Sequence, residues 1–365
     1  MDPKLARAIH GAHESIPCAV TAPSRVTIPP RAARVASLRA LLGTPNRAVA
    51  PLAVGIRRTA RHHFDRHVVP QIRLTWPALF AEPFYEKLTI GACDLYASAP
   101  YTALFCAPHA PAVVRAMTAI GDALPLSDRS LALLGRGAIE GLGRFALAEQ
   151  HRRIALISAF IVVVDHVFDH CMDDAPKTRG ARLEAVIEGR IAPDSPPLAL
   201  TRALTVAMSE GLDAIDRPIF QAALARVFEW IRAEVKAMLG EPDPRGLGHR
   251  LAGVEGTIDG LLFPVIRTTG ESARQWMYDV SLFVQIMDDW LDYESDVRSD
   301  RATPVMTGAW AMPQVESAWN KTVVGIEDLV RASGSRSPRY VRFIRDAYKL
   351  MMHEVTEAMI ERPDA

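Results

Sequence analysis

Neither sign of charge prevails in this chain: 42 Lys plus Arg offset 42 Asp plus Glu over 365 residues. Nothing in that balance points to a nucleic-acid partner. Cysteine is scarce. Cys18, Cys93, Cys106 and Cys171 are scattered, with no CxxC pair, which excludes a disulfide framework and predicts reduced, mostly buried thiols in a cytoplasmic protein. Long apolar runs are missing too. The longest, Ile154 to Val164, is broken by Ser158 and falls well short of the roughly 20 residues of a membrane span, so no transmembrane segment is expected. Met1 to Pro17 carries Asp2, Lys4, Arg7, His10 and Glu14 and lacks the apolar stretch of a signal peptide. There is no succession of alternating strands with hairpin turns, no tandem repeat and no low-complexity tract.

What remains is helical. Hydrophobic residues make up 49% of the chain, enough for a large core. Residues 1–45 hold Pro3, Pro17, Pro23, Pro29, Pro30 and Pro45, which predicts a loosely ordered arm with one helix near Ala33–Leu42. From residue 46 to 365 helix formers dominate and prolines fall mostly between periodic segments, predicting a single all-α domain. Two of its expected helices, Ala146–Cys171 and Ala273–Tyr293, are apolar through most of their circumference and belong in the middle of the domain. Each ends in a burst of acid.

In the first burst Asp165, Asp169 and Asp173 recur every fourth residue; in the second Asp288, Asp292 and Asp296 do the same, with Asp289 beside them. On a helix that spacing gathers three carboxylates into one stripe, where like charges repel. Folding alone does not favour such a stripe, and a divalent cation removes the conflict: Mg²⁺ takes hard oxygen ligands, usually one or two carboxylates per ion, and completes its shell with water and phosphate. A solvated helix end explains one such stripe well; two, each closing a buried helix, it explains poorly. Zinc held by His166, His170 and Cys171 is a further reading, but no fourth ligand pattern accompanies it.

The segment Phe283-Val284-Gln285-Ile286-Met287-Asp288-Asp289-Trp290-Leu291-Asp292 resembles the second aspartate-rich motif of trans-prenyl diphosphate synthases, Q-x-x-D-D-x-x-D. Asp165-His166-x-x-Asp169 resembles their first motif, DDxxD, with His166 in place of the second aspartate; alternatively Asp169 and Asp173 are the equivalents, at the family's spacing from Thr178-Arg179-Gly180. The resemblance covers about Ile154–Gly180 and Trp276–Arg301. It implies the isoprenoid synthase fold, a helical bundle around a deep apolar cavity. Both acidic motifs would stand at its mouth, and three Mg²⁺ ions would bind with the diphosphate of a linear prenyl substrate.

The chain departs from the elongating members of that family. Their Gly-Lys-x-x-Arg element is missing, their Arg pair is reduced to Thr178-Arg179, and where a Lys-Thr is sought the chain has Glu255-Gly256-Thr257. A glutamate there would repel a second diphosphate. The resemblance therefore favours a one-substrate relative, a class I terpene cyclase, over a chain-elongating or head-to-head prenyltransferase, with a non-catalytic helical partner subunit as a third reading and a homodimer left open. Candidate diphosphate ligands are Arg179, Arg298, Arg301, Arg245 and the pair Arg339-Tyr340, which resembles the Arg-Tyr of terpene synthases. Phe160, Phe168, Phe228, Trp230, Phe263, Phe283 and Trp290 are expected to line the cavity, where aromatic faces stabilise a migrating cation.

Overall fold

The computed structural model describes residues 28–93, 110–145, 148–241, 246–262, 271–299, 303–306, 308–332 and 334–361. Among them there is no strand: the architecture is all-α, as expected. The helices are α1 Arg31–Leu42, α2 Ala50–His63, α3 Val69–Thr75, α4 over 83–93, α5 Ala110–Ala123, α6 Asp128–Arg144, α7 Ala148–His170 and α8 Pro176–Glu188. They continue with α9 Pro196–Ser209, α10 Asp216–Met238, α11 Gly246–Gly256, α12 Glu271–Leu291, α13 Tyr293–Arg298, α14 Met312–Ala332 and α15 Pro338–Glu361. Two π-helical turns, Phe64–Val68 and Thr257–Leu262, follow α2 and α11.

Local sequence accounts for many of the boundaries. Pro176 and Pro196 open α8 and α9, where the missing N–H costs nothing. Ser127 caps α6 by accepting from the Ser130 N–H, and Gly189, at φ 77, closes α8 in the left-handed conformation. Helix α12 and its neighbours form the aromatic part of the core. Trp276 donates its indole N–H to the Thr322 carbonyl at 2.9 Å, against Gly325, where a Cβ would stand 2.6 Å from the ring. Phe283 and Tyr348 close on Trp319 from α12 and α15. On the other side of the bundle α10 and α11 approach so closely that a Cβ on Gly253 would overlap the Trp230 Cβ, and one on Gly256 the Arg226 Cβ.

The N-terminal helix is more firmly tied than an arm composition predicts. Val35, Leu38 and Leu42 sit on one face and are buried. Arg39 pairs with Glu357 of α15, and Arg31 donates to the Ile360 carbonyl at 3.0 Å. Arg34 has no exposed surface at all. Residues 1–27 lie outside the described part of the chain. Cys93 and Cys171 are half-buried thiols outside any disulfide. Among the described residues no helix is long and apolar enough to cross a membrane.

Candidate active site

A pocket of about 280 Å³ lies between the two acid-bearing helices. Helix α7 lines it with Phe160, Ile161, Val164 and Asp165. Helix α12 lines it with Val280, Ser281, Val284, Gln285 and Asp288, one face of a 3.6-residue period. On both helices the carboxylate comes last and the uncharged lining precedes it, and the Asp288 charge bears on Asp165, which puts the two acids together at one end of the pocket. From Val280 to Asp288 that face runs about 12 Å along α12 at 1.5 Å per residue. Met351, Met352, Val355 and Met359 of α15 add flexible apolar wall. Val227 and Trp230 of α10, and Gly253, Val254 and Thr257 after them, close another side.

The charges at the acidic end oppose one another. Enclosure by protein, followed by the charges of Asp169, Asp288 and Glu234, pushes the Asp165 carboxyl up to about 8, while Lys87 works the other way. Asp165 keeps accessible surface where it lines the pocket, while the protein packed around its carboxyl desolvates the charged form. Two carboxylates 123 positions apart, Asp165 and Asp288, thus line one pocket and repel each other across it.

The remaining expected ligands divide. Asp169 lies one turn beyond Asp165, half-buried. Asp173 does not continue the stripe. Helix α7 ends at His170, and Asp173 lies past the end, exposed, beside Asp174, Arg182 and Ser195. In the second motif the helical bonding carries through the break at Asp292: its N–H donates to the Asp288 carbonyl at 2.9 Å, and that of Asp296 to the Asp292 carbonyl at 3.0 Å. Asp288 and Asp292 are exposed, Asp289 and Asp296 buried.

The histidine within the first motif packs and does not face the acids. His166 stacks on Phe84 with ring centroids 3.4 Å apart and on Trp76 at 6.5 Å. Its Nδ1 is buried without a hydrogen-bond partner, and burial, helped by His170 and Lys87, holds the imidazole down at about 4. A second aspartate could not occupy that aromatic slot without burying its charge.

The expected arginines serve other groups. Arg179 donates to the carbonyls of Phe168, at 2.9 Å, and Asp174, at 3.2 Å, and its guanidinium lies over the Phe168 ring, so it closes α7 and does not line the pocket. Arg339 donates to the carbonyls of Gly121 and Leu126, fastening α15 to the α5–α6 turn, and Tyr340 beside it is buried, which raises its phenol well above the usual range. Neither lines the pocket, and Arg298 is exposed at the end of α13. Arg245, Arg301 and Phe263 lie outside the described residues. Of the expected cavity aromatics, Phe160 and Trp230 line the pocket. Phe168, Phe228, Phe283 and Trp290 are buried core on the other faces of the same helices. A helix apolar all round gives no sign of which face meets a cavity.

Sequence reasoning missed Lys87, which with Gly91 one turn on brings α4 to the pocket, and Glu234, buried near Asp165. Each stands near another charge in the sequence, Lys87 after Glu86 and Glu234 two before Lys236, so both look like ordinary solvated helix positions. Glu255 also differs from expectation: it pairs with Arg226 at 2.8 Å and does not line the pocket.

The donor set suits a hard divalent cation only as part of a shared shell. Among the described residues no group of three or more His, Cys, Asp or Glu is gathered to hold a metal ion by itself, and this includes His166, His170 and Cys171. Mg²⁺ asks for less: one or two carboxylates per ion, with water and phosphate oxygens for the rest. Compared with known proteins, the chain matches no family model, no curated protein and no solved structure.

Proposed function

We propose that this chain is a magnesium-dependent enzyme of the isoprenoid synthase type, a class I terpene cyclase that ionises a linear prenyl diphosphate and cyclises the resulting cation. The observation that carries the proposal is the meeting of Asp165 and Asp288 at one end of a pocket whose other lining is largely apolar. Mutually repelling carboxylates around a pocket are costly unless positive charge is bound there. Asp165 and Asp169 on one side, and Asp288 and Asp292 on the other, would hold Mg²⁺, which neutralises the diphosphate as a leaving group when bound. Lys87, the one cation among the described lining residues, would donate to a phosphate oxygen. The apolar wall excludes water from the allylic cation, and Phe160 and Trp230 offer it aromatic faces.

A single cation among the described lining residues favours one anionic substrate over two. Arg152 on α7 is occupied by Glu149 and by the carbonyls of Ala207 and Glu210. Incubation with C10 to C25 prenyl diphosphates, with and without isopentenyl diphosphate, tests the reading by gas chromatography–mass spectrometry and diphosphate release. A cyclic hydrocarbon or alcohol from one allylic substrate, dependent on Mg²⁺ and not lengthened by isopentenyl diphosphate, is expected. A longer linear diphosphate formed only from both substrates would make the chain a prenyltransferase; no diphosphate release from any of them would leave a non-catalytic helical protein.

A further inference from the structure

Helix α12 ends inside the second acidic cluster, and a helix end is where carbonyls lack partners and negative dipole accumulates. Five carboxylates, Asp288, Asp289, Asp292, Glu294 and Asp296, crowd within nine residues of that end. Left to itself such an end would fray or swing. It is held by a side chain from the far end of the sequence. Arg34 of α1, with no exposed surface, donates its Nε–H to the Trp290 carbonyl at 2.7 Å and reaches the Leu291 carbonyl at 3.5 Å. One terminal nitrogen donates to Glu294 at 2.8 Å and to the Pro29 carbonyl at 2.8 Å, and the other also meets Glu294. The guanidinium lies 5.2 Å from the centre of the Tyr293 ring. The fork therefore grips the last carbonyls of α12 and the first turn of α13 together, on either side of Asp292.

We propose that Arg34 is the positioning residue of the second acidic cluster, fixing the α12–α13 break so that Asp288 and Asp292 present their carboxylates to a divalent cation in one register. This rests on the metal-dependent reading above. Arg34 is not among the residues that line the pocket; it acts through the backbone that carries the acids. Planarity is what the role needs, since a lysine supplies the charge but cannot span two carbonyls and a carboxylate. The neighbouring pair Arg39–Glu357 anchors the same helix without touching the cluster, which separates docking of α1 from positioning of the acids.

The test follows thermal stability of the full chain during titration with MgCl₂ in the presence of inorganic diphosphate, alongside KM and kcat for the accepted prenyl diphosphate. In Arg34→Lys and in Glu294→Gln the half-saturating Mg²⁺ concentration should rise about tenfold, as loss of a group orienting metal ligands typically does. In Glu357→Gln it should stay at the wild-type value even if the metal-free melting temperature falls. Glu294→Gln keeps the buried arginine in place, so it remains informative should Arg34→Lys fold poorly. Lower metal-free stability in both variants with an unmoved Mg²⁺ midpoint would overturn the positioning role while leaving the functional reading intact. A wild-type chain whose melting temperature ignores Mg²⁺ and diphosphate would overturn both.

Discussion

The two acid-bearing helices end in similar ways but are closed by different means. Helix α7 is closed from nearby in sequence: Arg179, 11 positions after Phe168, turns back to take its carbonyl. Helix α12 is closed from far away by Arg34, 256 positions before Trp290. The local closure lets the chain leave the helix at His170, so the first motif presents Asp165 and Asp169 and discards Asp173. The remote closure holds α12 and α13 nearly continuous, so Asp288, Asp292 and Asp296 keep helical hydrogen bonding. Equal spacing in sequence thus becomes two unequal acidic surfaces, and the difference lies in what satisfies the helix end, not in the acids.

The largest effects should come from the carboxylates that face each other. Asp165→Asn and Asp288→Asn are each expected to lower Mg²⁺-dependent diphosphate release by roughly a thousandfold, the loss of several kcal/mol of charge stabilisation, while circular dichroism shows the helices intact. A variant with full turnover would show that only one of the two helices serves the chemistry. Stability separates the two arginines next. Arg34→Met strands the Glu294 carboxylate and three carbonyls, and should cost about 3 kcal/mol in denaturant unfolding, at the low end for a broken buried pair because Glu294 is 39% exposed. Arg179→Met, a partly buried donor to two carbonyls, should cost about 1–2 kcal/mol. Equal losses would erase the distinction between local and remote closure.

The pH dependence of the metal-free protein probes the acidic end directly. An Asp165 carboxyl held near 8 when folded, against 3.8 ordinarily, keeps its proton in the folded state over that interval after the unfolded chain has released it. The folded state binds more protons there, so stability falls as pH rises from about 4 to about 8; below the interval the group contributes nothing, and above it the full cost is present. Melting temperatures across this range should decline in the wild type and decline less in Asp165→Asn. Asp288→Asn, which removes one source of repulsion, should flatten part of the slope. An identical slope in all three would remove Asp165 as its cause.

Much of this was legible in the sequence because it is local. Helical class follows from composition and proline placement, and the acids announce themselves by spacing at the ends of apolar helices. What was not legible depends on faces and on distant partners. Phe283 and Trp290 share α12 with Val284 and Asp288, yet only the latter pair meets the pocket, and an unbroken apolar helix carries no mark of that orientation. Lys87 and Arg34 come from helices far from either motif. Arg179, close to the first motif, looked like a phosphate ligand because helix closure and anion binding draw on the same guanidinium chemistry.

The smallest expected effect is the one that decides which pair forms the first motif. By spacing alone, Asp169 with Asp165 and Asp169 with Asp173 are equally good. Structurally they are not: Asp165 and Asp169 share α7, and both Asp169 and Asp288 bear on Asp165, whereas Asp173 lies beyond the helix in the turn that Arg179 and Arg182 tie down. Asp173→Asn should therefore alter half-saturating Mg²⁺ by less than about twofold, as an exposed charge outside the cluster does. Asp169→Asn, on the helix, should raise it by about tenfold or more. The two titrations, read side by side by diphosphate release, are sensitive to register in a way that single variants are not. If Asp173→Asn proves the more damaging, α7 must gain a turn when metal and diphosphate bind, and the local closure by Arg179 would have to open to allow it.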